Sequence, residues 1–259
     1  MSDIVVTRDA GVHVVRMNRP EKKNALTRAM YDAMTASLQQ ADGDDAIAAH
    51  VIVGAGGVFS AGNDITDFAK RATDLNATSG AAGFIRTLPT LQKPIVAAVD
   101  GLAVGVGVTM VFHCDLVYAS PTASFRTPFL DLGLVMEAGS SLLAPRIMGH
   151  QRAFELLCLG EPYGAEDGLR AGFVNKVVAA DQLEAEAFKA AVRLAAKPRQ
   201  ALREARRLLK GAAREETLAR IDEESRIFAE LLRTPEAREA FAAFLEKRKP
   251  DFAKARANG

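Results

Sequence analysis

His113-Cys114-Asp115 sets three chemically capable side chains in a row. Adjacent residues on one helix or strand point apart, so these three cannot form a relay by themselves. Nucleophilic catalysis would need a further partner brought in by the fold, and the expectation here is a structural role. Val58-Phe59-Ser60-Ala61-Gly62 is close to a serine nucleophile elbow but has valine where that pattern has its first glycine. Gly101-Leu102-Ala103-Val104-Gly105-Val106-Gly107 follows an apolar run, yet Gly105-Val106-Gly107-Val108-Thr109-Met110 lacks the third glycine of a dinucleotide fingerprint. The histidines, His13, His50, His113 and His150, never pair at helical spacing, and no Cys-x-x-Cys is present. No metal is expected from such spacing.

The two glycine-rich strand ends taken together point to different chemistry. Val51-Ile52-Val53 and Ile95–Val99 each run into small residues and then a predicted helix. Turns of this kind leave backbone N–H groups free at helix N-termini, where they favour developing negative charge. Two of them on neighbouring strands could aim two donors at one oxygen, an oxyanion hole worth about 2.7–4 kcal/mol per donor. Two ordinary tight turns explain the same spacing, and the residues alone leave both readings open.

Such donors need a rigid frame, and the pattern supplies one. Ile4–Thr7 and Val12–Met17, split by Asp9-Ala10-Gly11, read as a hairpin. A helix is predicted from about Thr27 to Gln40, with Leu26, Met30, Met34 and Leu38 at helical spacing. Residues 64–92 look helical but patchy. Leu116-Val117-Tyr118, Ser124-Phe125 and Phe173–Val178 complete the strands, and the alternation predicts an α/β fold with parallel pairing. From Asp181 onward the pattern is helical throughout, over about 182–196, 199–211, 214–232 and 235–247, with Pro198 and Pro235 at helix starts. A boundary near 196/197 divides a core, 1–196, from a helical appendage, 197–259. The appendage holds 16 basic and 11 acidic residues, net +5 against −4 for the rest. The overall charge of +1 argues against a protein that coats polyanions. Two cysteines suit a reducing, cytoplasmic setting, and no apolar run reaches the roughly 18 residues of a membrane helix.

Phe59-Ser60-Ala61-Gly62-Asn63-Asp64-Ile65, Lys93–Gly107 and Cys114-Asp115-Leu116-Val117-Tyr118-Ala119 resemble the crotonase (enoyl-CoA hydratase/isomerase) superfamily. The likeness extends to Asn18-Arg19-Pro20 with Lys23-Asn24-Ala25-Leu26, and to Phe244-Leu245-Glu246-Lys247-Arg248. It implies a spiral of ββα units with a C-terminal helical trimerisation region, acyl-CoA thioester substrates, and a homotrimer or dimer of trimers. CoA would be part of the substrate, with no separate cofactor and no membrane partner. The implied oxyanion donors are the backbone N–H groups of Asn63 and Val106, the latter a position usually held by glycine. CoA would lie along Lys23, Ala25, Leu26, Ala61, Gly62, Asp64 and Ile65, closed over by Phe244 and Lys247.

The acid/base group decides the reaction. Hydratases of this family use two glutamates, and the matching positions here are Thr109 and Phe129, neither of which can act as a carboxylate. Thr127–Ser141 resembles instead the peroxisomal-type Δ3,Δ2-enoyl-CoA isomerases, in which a glutamate at the position of Glu137 is the single base. Leu134, Val135 and Met136 before it supply the apolar setting that raises a carboxyl pKa. Asp131 is the competing carboxylate. The implied activity is a shift of the 3-enoyl-CoA double bond to the 2-position. A hydratase or another acyl-CoA enzyme of the superfamily is the alternative. A non-catalytic CoA- or RNA-binding module is another, and for RNA the candidate feature is Lys197, Arg199, Arg203, Arg206, Arg207 and Lys210. A solvated helix face is the reading preferred for that cluster, so nucleic acid is not expected as a partner.

Overall fold

The computed structural model describes residues 2–64 and 80–257. Strand β1 (Ile4–Asp9) turns back antiparallel onto β2 (Val12–Met17), as the hairpin pattern predicts. The polar loop then leads into α1 (Arg28–Asp42), which Thr27 caps by accepting from the Met30 N–H. β3 (Ala49–Gly54) pairs parallel to β2, and a short helix, α2 (Gly80–Thr87), leads to β4 (Ile95–Val99) beside β3. The intervening residues 65–79, including Ile65 and most of the patchy helical stretch, lie outside the described residues.

After β4 the chain forms β5 (Leu102–Val104) and a four-residue helix, α3 (Val106–Thr109). β6 (Leu116–Ala119) returns to the main sheet, and β7 (Ser124–Arg126) pairs with β5. Helices α4 (Ser140–Met148) and α5 (His150–Phe154) follow, then β8 (Tyr163–Gly164), α6 (Ala165–Ala171) and β9 (Lys176–Val177). Two sheets result, with strand orders β1-β2-β3-β4-β6-β9 and β5-β7-β8. Beyond β9 every regular element described is helical: α7 (Ala180–Ala195), α8 (Arg199–Lys210), α9 (Arg214–Leu231), α10 (Pro235–Leu245) and α11 (Phe252–Ala257).

The central strands β3 and β4 are buried on both faces, which explains their unbroken apolar runs. Val51, Val53, Val96 and Ala98 pack under Leu183, Ala187 and Ala191 of α7. Ile52, Ile95, Ala97 and Val99, one residue out of phase, face the larger core with Met30, Met34 and Leu38 of α1.

Three expectations need correcting. Leu102–Val104 is a strand of a second sheet, not part of a continuous glycine loop, and only Lys176–Val177 of the predicted Phe173–Val178 strand pairs. Nor is the basic face of α8 simply solvated. Arg206 is 8% exposed; it donates to Asp115 (2.9 Å) and to the Leu91 carbonyl. Lys210 reaches the His113 carbonyl (2.5 Å) and Asp115 (3.2 Å). These two cations fasten α8 to the core because Asp115, at the start of β6, already holds the Ile95 N–H and needs further donors.

Candidate active site

The two glycine-rich segments meet. Ser60 and Ala103 form a parallel bridge, with the Ser60 N–H donating to Leu102 (3.0 Å) and the Val104 N–H to Ser60 (2.9 Å). Three residues beyond each partner of that bridge stand Asn63 and Val106. A Cβ on Gly62 would lie 2.7 Å from the Val104 carbonyl, and one on Gly107 2.9 Å from the Ser60 carbonyl. Glycine at both places therefore lets the two backbones touch.

Both N–H groups are left without a backbone acceptor among the described residues. Asn63 bridges Leu26, with the Leu26 N–H bonded to Gly62 (2.8 Å) and the Asp64 N–H bonded to Leu26 (2.9 Å). That pattern turns the Asn63 N–H away from Leu26. Val106 opens α3, where the first N–H has no intrahelical acceptor. Its side chain is buried in the main core, and the residue itself lines neither cavity described below, whereas Val104 and Gly105 before it line the larger one. The Asn63 side chain is held apart from these events, accepting from the Tyr31 hydroxyl of α1 at 2.6 Å.

Asn24 organises the approach. Buried, with a left-handed φ of 53°, it accepts from the Arg19 N–H (2.8 Å) and donates to Ala55 (2.9 Å) and Val58 (2.7 Å). Its own carbonyl accepts from the Ser60 hydroxyl at 2.9 Å, and that hydroxyl accepts from the Gly62 N–H at 3.1 Å. Ser60 thus serves as a strut, which disposes of the nucleophile-elbow likeness.

Glu137 precedes α4 and is 9% exposed. One carboxyl oxygen accepts a short hydrogen bond from the Thr109 hydroxyl at the end of α3. Burial pushes this carboxyl up to about 7, the Thr109 bond pulls it partly back, and the charge of Glu224 adds to the rise. Asp131 is exposed and pairs with Arg126 at 3.3 Å, a setting that gives it no comparable role. The neighbouring triplet is structural, as expected. His113 bonds the Ala138 carbonyl at 2.7 Å, and burial pushes the Cys114 thiol up to about 12, far from a thiolate.

Two cavities converge here. One of about 600 Å³ is lined by Ala61, Gly62 and Asn63, by Phe129, Leu132 and Leu134, and by Phe228, Phe241, Phe244 and Phe252 from the C-terminal helices. Arg126, Arg248 and Lys249 add cationic groups to its wall. The other, about 40 Å³, is bounded by Ala81, Ala82 and Ile85 of α2, by Ser225 and Phe228 of α9, and by Asn63 and Glu137. Asn63 and Phe228 belong to both walls, so the two cavities adjoin there, and Glu137 lies on the smaller one. The site can stabilise an oxyanion at backbone N–H groups beside a carboxyl that gains and loses a proton near neutrality.

The predicted residues divide accordingly. Ala61, Gly62, Asn63 and Phe244 line the larger cavity, and Glu137 the smaller. Lys23 is exposed beside it, its carbonyl holding the Ala61 N–H (2.9 Å), and Ala25 accepts from Arg19. Leu26 is a correction, since its side chain is core and only its backbone touches the site. The Asp64 carboxylate is tied to Arg19 at 2.7 Å. Lys247 does not line the cavity, whereas the next two residues do. Arg126, Lys249, Phe228 and Phe252 carried no local signal and enter only through the fold. Thr109 did carry one, since the resemblance places it where a hydratase of the superfamily has a glutamate. Among the described residues no cluster of His, Cys, Asp and Glu could hold a metal ion, and no helix is long and apolar enough to cross a membrane.

The enoyl-CoA hydratase/isomerase family model matches residues 7–255. A rat protein named enoyl-CoA delta isomerase 2 is 36% identical over 226 residues, 85% of this chain, which spans 58% of the rat protein's length. The 2,3-dehydroadipyl-CoA hydratase of Escherichia coli K12 is 32% identical over 97% of this chain and 99% of its own. The crystal structure of an enoyl-CoA hydratase/isomerase from Pseudoalteromonas atlantica T6c superposes with a TM-score of 0.92 at 40% identity, covering 97% of this chain and all of that one.

Proposed function

The chain belongs to the enoyl-CoA hydratase/isomerase family, and from that premise we propose that it is an isomerase converting 3-enoyl-CoA to 2-enoyl-CoA. The observation that carries the choice is that Glu137 is, among the described residues, the one carboxyl on the wall of the smaller cavity, hydrogen-bonded to Thr109, where a hydration site would need a second glutamate. The other such position is Phe129, whose ring lines an apolar wall. A ring there cannot orient water as a carboxylate does.

In this reading CoA lies in the 600 Å³ cavity, with the cationic side chains Arg126, Arg248 and Lys249 near its phosphates, and acts as part of the substrate with no separate cofactor. The thioester oxygen sits between the Asn63 and Val106 N–H groups. Glu137 takes a proton from C2, the electron pair moves into a dienolate held at those donors, and the same carboxyl returns the proton to C4. A carboxyl with a pKa of about 7 is suited to both steps at neutral pH. We extend the proposal to a core of residues 1–196, an assembly region of 197–259 forming a homotrimer or dimer of trimers, and a cytoplasmic setting. The exposed Leu208 and Leu209 of α8 support the assembly role.

Incubation with 3-hexenoyl-CoA and with crotonyl-CoA tests the assignment. Conjugation of the first, little hydration of the second, and loss of about 10²–10⁴ in kcat on Glu137→Gln are expected. Rapid crotonyl-CoA hydration that persists in Glu137→Ala would overturn it. Light scattering reads the assembly.

A further inference from the structure

A second buried carboxylate stands behind the first. Glu224 of α9 is 4% exposed and reaches 85 residues back along the chain. Its carboxylate accepts from the Gly139 N–H at 2.6 Å and from the Ser141 N–H at 2.9 Å, at the N-terminus of α4. Between Glu137 and that helix the backbone makes an unusual turn. Ala138 has φ 61° and Gly139 φ 72°, and Ala138 carries a Cβ in a left-handed conformation that costs about 1 kcal/mol or more. Such a turn persists only where its surroundings hold it. Here they hold it from both sides. His113 bonds the Ala138 carbonyl (2.7 Å), Ser140 folds its N–H (3.2 Å) and hydroxyl (2.7 Å) back onto the Glu137 carbonyl, and Glu224 takes the next two N–H groups available.

We propose that Glu224 is a positioning residue for Glu137: seated on the Gly139 and Ser141 N–H groups, it fixes the backbone that carries the base and keeps a fixed negative charge beside it. This rests on the reading of Glu137 as the base.

The two carboxyls are unequal, and hydrogen bonding decides which is ionised. Glu224 receives two backbone N–H donors at a helix N-terminus, which favour the charged form. Glu137 receives one hydroxyl. Burial pushes both carboxyls up, but the Ser141 and Gly139 donors pull Glu224 back, so charge settles on Glu224 and the mobile proton on Glu137. Of the other groups facing the pair, Arg220, on α9 itself, adds to this asymmetry by favouring the charged form of Glu224. His113, from the α3 side, is kept neutral because burial pushes it down to about 4. Asp115, Arg206 and Lys210 lie beyond His113 and act on it. The residue after Glu224, Ser225, lines the 40 Å³ cavity, as does Phe228 one turn on. The helix that holds the charge thus also forms the wall against which substrate sits.

The test is the pH dependence of kcat and kcat/KM for 3-hexenoyl-CoA in wild type, Glu224→Gln and Glu224→Asp. Removal of the charge in Glu224→Gln is expected to move the acid limb of kcat/KM to lower pH by about half a unit or more. Its kcat falls while KM stays within about threefold. Glu224→Asp keeps the charge on a shorter arm, so its limb returns towards the wild-type position while kcat stays low. An unmoved limb in Glu224→Gln, whatever its activity or stability, overturns the proposal. Should Glu224→Gln not fold, the infrared carboxylic acid band of the wild-type protein near neutral pH answers the same question. A buried band that disappears in Glu137→Gln supports a proton on Glu137 and a charge on Glu224, and a band that remains overturns it. If Glu137→Gln still isomerises, the reading of the base has failed. If Glu137→Gln is dead and the Glu224→Gln limb is unmoved, the positioning role alone has failed.

Discussion

On the proposed reading of Glu137 as the base, Thr109 shows how one atom sets the working range of that group. Its hydroxyl donates to the carboxylate form of Glu137 and so holds the carboxyl lower than burial alone would. In Thr109→Val that donor is lost and shape is nearly kept. The acid limb of kcat/KM is expected to move to higher pH, opposite to Glu224→Gln, and kcat at pH 7 to fall about three- to tenfold. Glu137 also leaves a mark on stability. Its carboxyl ionises near 4.5 when unfolded and at about 7 when folded, so between those values the folded state binds more protons and stability falls as pH rises. Glu137→Gln should remove that loss, gaining up to about 3 kcal/mol at pH 8 over wild type and little below pH 4.5. Urea unfolding at the two pH values reads the difference.

At the scale of elements, the contact between the Ser60–Asn63 segment and β5–α3 is what a mutation would break. Gly107→Ala would push a methyl against the Ser60 carbonyl, and α3 must shift, taking the Val106 N–H with it. Loss of one oxyanion donor predicts a fall of about 10²–10³ in kcat, together with a stability cost of about 1–3 kcal/mol from the overlap. A second device braces β2 and β3 against α1. The Ser37 hydroxyl meets His13 at 2.7 Å, His13 meets His50 across 3.1 Å between their Nδ1 atoms, and His50 faces Asp42 at 3.5 Å. Donation running from Ser37 to His13, then to His50 and on to Asp42, satisfies the chain with both rings neutral. Burial pushes His13 down from 6.5 to about 4, so stability is lost as pH falls through that window. His13→Asn should flatten the acid side of the stability curve by up to about one proton's worth, 1.4 kcal/mol per pH unit. The buried strands were legible in the sequence, because runs such as Val51-Ile52-Val53 are apolar on both faces and only a doubly covered sheet accepts them. β5 was not legible, because three residues among glycines carry no period, and its partner β7 is another short segment that only the fold brings beside it.

Across the molecule, the larger cavity borrows from three distant parts of the chain: residues 61–63, 102–134 and 228–252. This is why the site was only partly readable in the sequence. Asn63, Val106 and Glu137 stand within motifs, whereas Phe228, Lys249 and Phe252 are anonymous until α9, α10 and α11 fold over the opening. The distribution predicts separable effects. Lys249→Ala and Phe252→Ala should raise KM for an acyl-CoA by about three- to tenfold with kcat preserved, since they meet the handle of the ligand and not its reacting carbons. Steady-state kinetics at fixed pH measure the split.

The proposed donors at Asn63 and Val106 belong to the main chain, and their side chains are occupied elsewhere, one with the Tyr31 hydroxyl and the other in the core. The site's electrophilic half is thus nearly independent of side-chain identity at the positions that form it. On the proposed reading, position 106 accepts valine in place of glycine, while a methyl added at the neighbouring Gly107 is expected to cost about 10²–10³ in kcat. A lineage can likewise exchange the proton-carrying group without rebuilding the hole. One scaffold can in this way be inherited by enzymes of different reactions, and a comparison that scores residues by type alone will overlook the part they share.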